Sequence, residues 1–167
     1  MLKGKTIIVA VCGSIAAVRS FDIVRALRSN GARIYVIMSE AAEGIITADA
    51  LQWASGNKVI TKLTGKTEHV KFFGKKGKAD LLLIAPATAN TISKIAMCID
   101  DSAITTFATV AIGSKKPVLI APAMHEPMYE HPIVRENMGK LEKMWRVKII
   151  STLMEEEKEK LAGIDSI

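Results

Sequence analysis

Four runs of this chain are apolar without alternation: Thr6-Ile7-Ile8-Val9-Ala10-Val11, Arg33 to Met38, Asp80-Leu81-Leu82-Leu83-Ile84 and Pro117-Val118-Leu119-Ile120-Ala121. A strand with one wet face alternates polar and apolar residues, whereas a strand covered on both faces does not. These runs therefore predict buried strands of a parallel sheet, joined by a short strand at Val59-Ile60-Thr61 and a last one from Val147 to Ile150. Between them the apolar spacing changes to threes and fours, which predicts helices. In the first, from Ser14 to about Asn30, Ile15, Val18, Phe21, Val24 and Leu27 are the inward face. Others run from Ser39 to Trp53, from Thr91 with Ile92, Ile95 and Ile99, from Ser102 through Val110, and along Val134, Met138, Leu141 and Trp145.

Alternating strands and helices specify an α/β protein: an open doubly wound parallel sheet of the Rossmann/flavodoxin-like type, three layers in a single domain. Such sheets bind ligands beyond the carboxyl ends of their strands, at the point where strand order reverses. Here each long strand ends in a loop of special composition, so the four loops predict one crevice. Gly13-Ser14 follows the first strand, and Ser14 serves either as a plain helix cap or as part of an anion site made of free amides and a positive helix end. A single glycine is not the dinucleotide fingerprint, which favours a mononucleotide. Ser39, after the second strand, is a cap or a second hydroxyl for the same anion. Ala85-Pro86-Ala87-Thr88-Ala89-Asn90-Thr91 is small enough for backbone to approach a flat ligand. Pro122 closes the fourth strand, lacking the amide to continue it, and leads into Ala123-Met124-His125-Glu126-Pro127-Met128.

Other candidates are less committed. His69 lies in a long Gly, Lys and Thr-rich loop from Thr64 to Lys78, as an incidental surface histidine or as an acid and base. Asp100-Asp101-Ser102 caps a helix with two carboxylates in its first turn; adjacent carboxylates point apart, so no metal site is expected.

The length of 167 residues, 49% of them hydrophobic, suits one full core. A net charge of +6 could serve a nucleic acid, but the lysines are scattered and only 5% of residues are aromatic, so an anionic small ligand fits as well and no nucleic acid is expected. No apolar stretch reaches the roughly 18 residues of a membrane span, and no signal peptide opens the chain, which makes a cytoplasmic location the expectation. Cys12 and Cys98 read as reduced interior thiols. The charged end, Met154 to Leu161, is a solvated tail, a flap or a linker.

In these loops, taken in order, the chain resembles the homo-oligomeric flavin-containing cysteine decarboxylases over about residues 5 to 150. Gly13-Ser14-Ile15-Ala16 is similar to that family's phosphate loop, and His69 to its active-site histidine. Pro86-Ala87-Thr88-Ala89-Asn90-Thr91 is similar to its Pro-Ala-Ser-Ala-Asn-Thr motif, and Pro122 to Tyr129 to its Pro-x-Met-Asn-x-x-Met-Trp motif. The resemblance implies FMN, with its phosphate near Gly13, Ser14, Ile15 and Ser39 and its ring near Ala87, Thr88, Ala89, Asn90, Thr91, Asp101 and Ser102. It implies decarboxylation of 4′-phosphopantothenoylcysteine to 4′-phosphopantetheine in coenzyme A biosynthesis, through thiol oxidation, loss of carbon dioxide and enethiol reduction. His69 and His125 would be catalytic, and Met124, His125 and Met128 would hold the substrate. The flavin would lie between subunits of a homo-trimer, or of a dodecamer built from trimers. Residues 1–152 would be the decarboxylase domain and 153–167 a flap or linker. A phosphopantothenate–cysteine ligase would be a partner domain or subunit, leaving this chain an excised domain or one half of a split pair.

Two residues depart from the family pattern. His125 stands where the motif has asparagine, and no cysteine follows Cys98, where the bacterial and eukaryotic enzymes carry one on a substrate flap. Lys158 and Lys160 occupy the flap's place and would close over the substrate. The alternatives are a flavin prenyltransferase, a peptidyl-cysteine decarboxylase, and a non-catalytic flavin-binding electron carrier of the same fold.

Overall fold

The computed structural model describes residues 2–150, together with the backbone of 153–155 and 158–160. The four apolar runs become β1 (Thr6–Val11), β2 (Arg33–Met38), β3 (Leu81–Ala87) and β4 (Val118–Pro122), and β5 (Val147–Ile149) completes a five-stranded sheet. Its order is β2-β1-β3-β4-β5, and every pairing is parallel. The chain leaves β1 towards β2 on one side and returns to β3 on the other. The strand order therefore reverses between β1 and β3.

The uniform hydrophobicity of the strands is explained by a core on each face. Ile8, Ala10, Leu82, Ile84, Val118 and Ile120 pack one way, with Phe72, Phe73, Ile92, Phe107 and Leu141. Their neighbours Ile7, Val9, Val11, Leu83, Ala85 and Ala121 pack the other way, with Ile23, Val24 and Leu51. The first layer belongs to α4 (Glu68–Phe73), α5 (Ala89–Ala96), α6 (Ala103–Gly113) and α8 (Pro132–Glu142); the second belongs to α1 (Ser20–Ser29) and α3 (Ala48–Ser55). The expected three-layer, doubly wound architecture is what forms.

Several local expectations are corrected. The first helix does not start at Ser14: a five-residue 3-10 segment, Ile15–Arg19, precedes α1. With three residues per turn, Ile15 and Val18 eclipse each other, and both are exposed, at 80% and 51%. Ala17 and Ser20 face inward instead, where a larger side chain has no room, and Ser20 donates its hydroxyl to the Ala85 carbonyl at 3.3 Å. The stretch from Ser39 to Trp53 is two helices, α2 (Glu40–Glu43) and α3, and Val59-Ile60-Thr61 contributes one bridge, Ile37 to Ile60. The Thr64 to Lys78 loop contains α4. Ile99 and Trp145 lie past the ends of their helices and are exposed, and Cys98 is an exposed thiol in a left-handed turn. Last, β6 (Leu153–Glu155) and β7 (Lys158–Lys160) pair antiparallel.

Candidate functional site

Backbone bonds tie the four strand ends into one crest. The Ser39 amide donates to the Val11 carbonyl at 3.1 Å, joining the end of β2 to β1. The Cys12 amide donates to the Pro86 carbonyl at 3.1 Å, joining β1 to β3 across the switch point. The Ala123 amide donates to the Ala87 carbonyl at 2.9 Å, joining β4 to β3. The four loops thus meet along one edge of the sheet, held there by backbone bonds.

At its β1 and β2 side, Ser14 Oγ accepts the Ala16 amide at 3.3 Å and Ser39 Oγ accepts the Ala42 amide at 3.3 Å. Both serines are therefore caps, as one reading held. Acting as acceptors leaves both hydroxyl hydrogens to donate. The amides of Gly13 and Ile15 have no acceptor among the described residues. Two hydroxyls and two amides form a donor set suited to the oxygens of a phosphate ester. The cap and anion readings are compatible in one geometry.

Across the switch point, Thr88 caps α5: its Oγ1 accepts the Thr91 amide at 3.3 Å and donates to Thr91 Oγ1 at 3.1 Å. Ala87 and Ala89 are buried, while Asn90 presents its carboxamide to solvent. Beside the buried alanines, the half-buried Thr88 and Thr91 carry their hydroxyls at this strand end. Cys12 sits beneath it, and burial pushes its thiol pKa up, against the opposing pull of the Thr91 hydroxyl and the Thr88 backbone.

Asp101 and Ser102 enter from α6. Ser102 is the cap, in a reciprocal box with Thr105, so the two carboxylates precede the helix and are not in its first turn as expected. Lys94 Nζ holds Asp101 at 2.6 Å, and the Thr106 hydroxyl donates to Asp100. The described residues contain no group of acidic, histidine or cysteine side chains arranged for a metal.

Beyond β4, Met124 is buried and His125 is exposed at the cap position of α7 (Glu126–Tyr129), with no capping bond from its side chain. Met128 is 46% exposed. His69 belongs to α4. Its ring lies against Phe107 of α6, with centroids 6.4 Å apart. Thr64 holds the start of α4 through its hydroxyl and amide, both donating to Glu68, and the hydroxyl chiefly keeps that carboxyl below its ordinary range. The side chains of Lys158 and Lys160 lie outside the described residues. Reasoning from sequence missed Lys94, seven residues from the Asp101 it holds, and Phe107, against which His69 packs. Cys12 is the buried free thiol expected, whereas Cys98 is exposed.

The sequence model of the flavoprotein family matches residues 1–167. The chain belongs to this family. Among its relatives, the coenzyme A biosynthesis bifunctional protein CoaBC of Thermococcus kodakarensis is 50% identical over 167 residues, 99% of this chain and 41% of that protein. This chain thus spans about two fifths of that bifunctional relative. The probable phosphopantothenoylcysteine decarboxylase of Streptococcus mutans is 36% identical over 141 residues, 83% of this chain and 78% of the relative. Among solved structures, the FMN-dependent cysteine decarboxylase SpaF superposes with a TM-score of 0.84 at 27% identity, covering 99% of this chain and 94% of SpaF. The family's fold is the one the strand order specifies.

Proposed function

We propose that this flavoprotein binds FMN and decarboxylates 4′-phosphopantothenoylcysteine to 4′-phosphopantetheine. The observation that carries the reading is the crest itself: donors at Gly13, Ser14, Ile15 and Ser39 stand on strand ends that backbone bonds tie to the small-residue loop Ala87 to Thr91. A mononucleotide whose ring is planar fits both halves. The similarity to the Streptococcus mutans protein, which is matched over most of its length, supports the choice of substrate.

Gly13, Ser14, Ile15 and Ser39 would take the FMN phosphate, and Thr88, Asn90, Asp101 and Ser102 would border its ring. FMN, when bound, supplies a reversible two-electron acceptor for the carbon bearing the substrate's thiol. The oxidised carbon becomes an electron sink, so the neighbouring carboxylate leaves as carbon dioxide with its electron pair retained in an enethiol. Two electrons and two protons, one proton arriving with the electrons as hydride, would then restore the saturated thiol. His69 would carry the proton that leaves and returns, and exposed His125 would donate a hydrogen bond to the carboxylate before it departs. Met124 and Met128 would line the substrate's apolar length.

We propose a homo-trimer, or a dodecamer of trimers, in which His69, packed on α6, serves a neighbour's flavin. The exposed Ile15 and Val18 would be covered there. One decarboxylase domain, residues 1–152, is proposed, followed by a flap or linker at 153–167, with a ligase domain or subunit as partner. No helix among the described residues is long and apolar enough to cross a membrane; a cytoplasmic location is part of the proposal.

Anaerobic mixing of purified protein with 4′-phosphopantothenoylcysteine, followed by mass, tests the reading. The expected products are carbon dioxide and 4′-phosphopantetheine from a yellow protein. A colourless protein, or a flavoprotein that leaves this compound intact, overturns it.

A further inference from the structure

His69 shares one face of α4 with Phe72 and Phe73, three and four residues further on. That face meets a single ring of α6. Phe107 lies 6.0 Å from Phe72, 6.1 Å from Phe73 and 6.4 Å from His69, centroid to centroid, and is fully buried. The His69 and Phe107 planes meet at 70°, so the edge of one ring faces the plane of the other. Of the two imidazole nitrogens, Nδ1 alone is enclosed without a hydrogen-bond partner among the described residues.

A neutral imidazole carries its proton on one nitrogen. A bare nitrogen enclosed here would have no hydrogen-bond donor for its lone pair among the described residues. An enclosed N–H can direct its hydrogen into an aromatic face, a weak but favourable contact. We propose that Phe107 is a positioning residue for His69: it holds the imidazole with the proton on Nδ1 and leaves Nε2 as the bare nitrogen available to the reaction. Phe107 touches neither substrate nor flavin in this scheme and acts only through the imidazole. The proposal rests on the reading of His69 as the catalytic histidine.

The chain has three histidines, so the nitrogen signals of all imidazoles can be resolved in the 15N-labelled FMN-bound protein, with His69→Asn providing the assignment. At a pH where the ring is uncharged, His69 should show a protonated Nδ1 and a bare Nε2. Phe107→Leu should move the population towards protonated Nε2 and lower kcat about tenfold with KM nearly unchanged, while Phe107→Tyr, which keeps the ring, should retain the native spectrum. Phe107→Met replaces the Leu variant if that does not fold. A protonated Nε2 in the native protein overturns the proposal, as does a loss of kcat in the Leu or Met variant with native nitrogen shifts. If His69→Asn turns over normally, the catalytic reading fails instead, and the native spectrum still decides the tautomer.

Discussion

The Cβ that Gly13 lacks would stand 2.4 Å from the Cβ of Ala41 and 3.0 Å from its carbonyl carbon. Gly13 is thus a contact between the loop after β1 and the helix after β2, and it brings Ser14 and Ser39 to the same end of the crest. A methyl there must push the loops apart, because one of the atoms it meets is backbone. Gly13→Ala should cost about 1–3 kcal/mol in urea unfolding, as overpacked sites do, and weaken FMN binding at least about tenfold. Native FMN affinity and an unchanged unfolding midpoint would show that the two loops are free to part.

The two cap serines should separate the phosphate from the ring. Each gives its lone pair to the backbone and keeps its hydrogen for an anion, and a hydrogen bond to a charged group is worth about 1.5–3 kcal/mol. Ser14→Ala and Ser39→Ala should therefore each weaken FMN binding by roughly ten- to a hundredfold, measured by quenching of flavin fluorescence. Riboflavin, which has the ring and no phosphate, should bind both variants as it binds the native protein. Equal losses for the two flavins would mean that the serines shape the loops and do not touch the phosphate.

Ser20 is fully buried and donates to the Ala85 carbonyl, at the irregularity where the β3 ladder shifts register between Ile84 and Ala87. Ser20→Ala leaves that carbonyl without its side-chain donor. The expected loss is about 1–3 kcal/mol in urea unfolding, with FMN affinity lowered because the same strand end carries Thr88 and Thr91. A stability change below about 0.5 kcal/mol would show that water replaces the hydroxyl.

The architecture was legible because buried parallel strands announce themselves: Thr6 to Val11 and Val118 to Ala121 have no wet face to mark in polar residues. The loops at the strand ends were legible too, since Gly13, Ser14, Ser39 and Thr88 are turn and cap residues that follow strands. What failed was phase. Ile15 and Val18 match a helical spacing with Leu27, yet a short 3-10 segment has its own period, and nothing in composition marks the change of winding at Ser20. Capping failed similarly. Asp101 and Ser102 are both good caps, and the choice of Ser102 was made by Thr105 and by Lys94, which draws Asp101 away. The company of His69 was beyond reach, because Phe107 lies 38 residues further along the chain.

The two cysteines should behave as opposites. Cys98 is exposed and should react with a thiol reagent at once, whereas buried Cys12 should react only on unfolding. Burial raises the Cys12 pKa, so its folded value lies above its unfolded one. Its contribution to stability is complete below the unfolded value and is lost as pH rises through the unfolded value towards the folded one. Native protein should therefore lose urea stability relative to Cys12→Ser between neutral pH and about pH 10. A constant difference between the two across that range would mean that the thiol ionises equally easily in both states.

His125 separates structure from chemistry most cleanly. It stands exposed at the start of a four-residue helix, and its side chain makes no capping bond. Its removal should therefore cost the fold almost nothing, and His125→Ala should keep the native melting temperature and FMN affinity. A hydrogen bond to a carboxylate that leaves during the reaction would nonetheless be lost, worth about 1.5–3 kcal/mol, so kcat/KM should fall roughly ten- to a hundredfold. Imidazole and carboxamide can each donate one hydrogen to a carboxylate. His125→Asn should therefore recover most of the lost activity, whereas His125→Leu, of similar bulk and without a donor, should not. If the Ala variant turns over as the native protein does, the loop after β4 is not the part of the crest that holds the substrate's carboxylate.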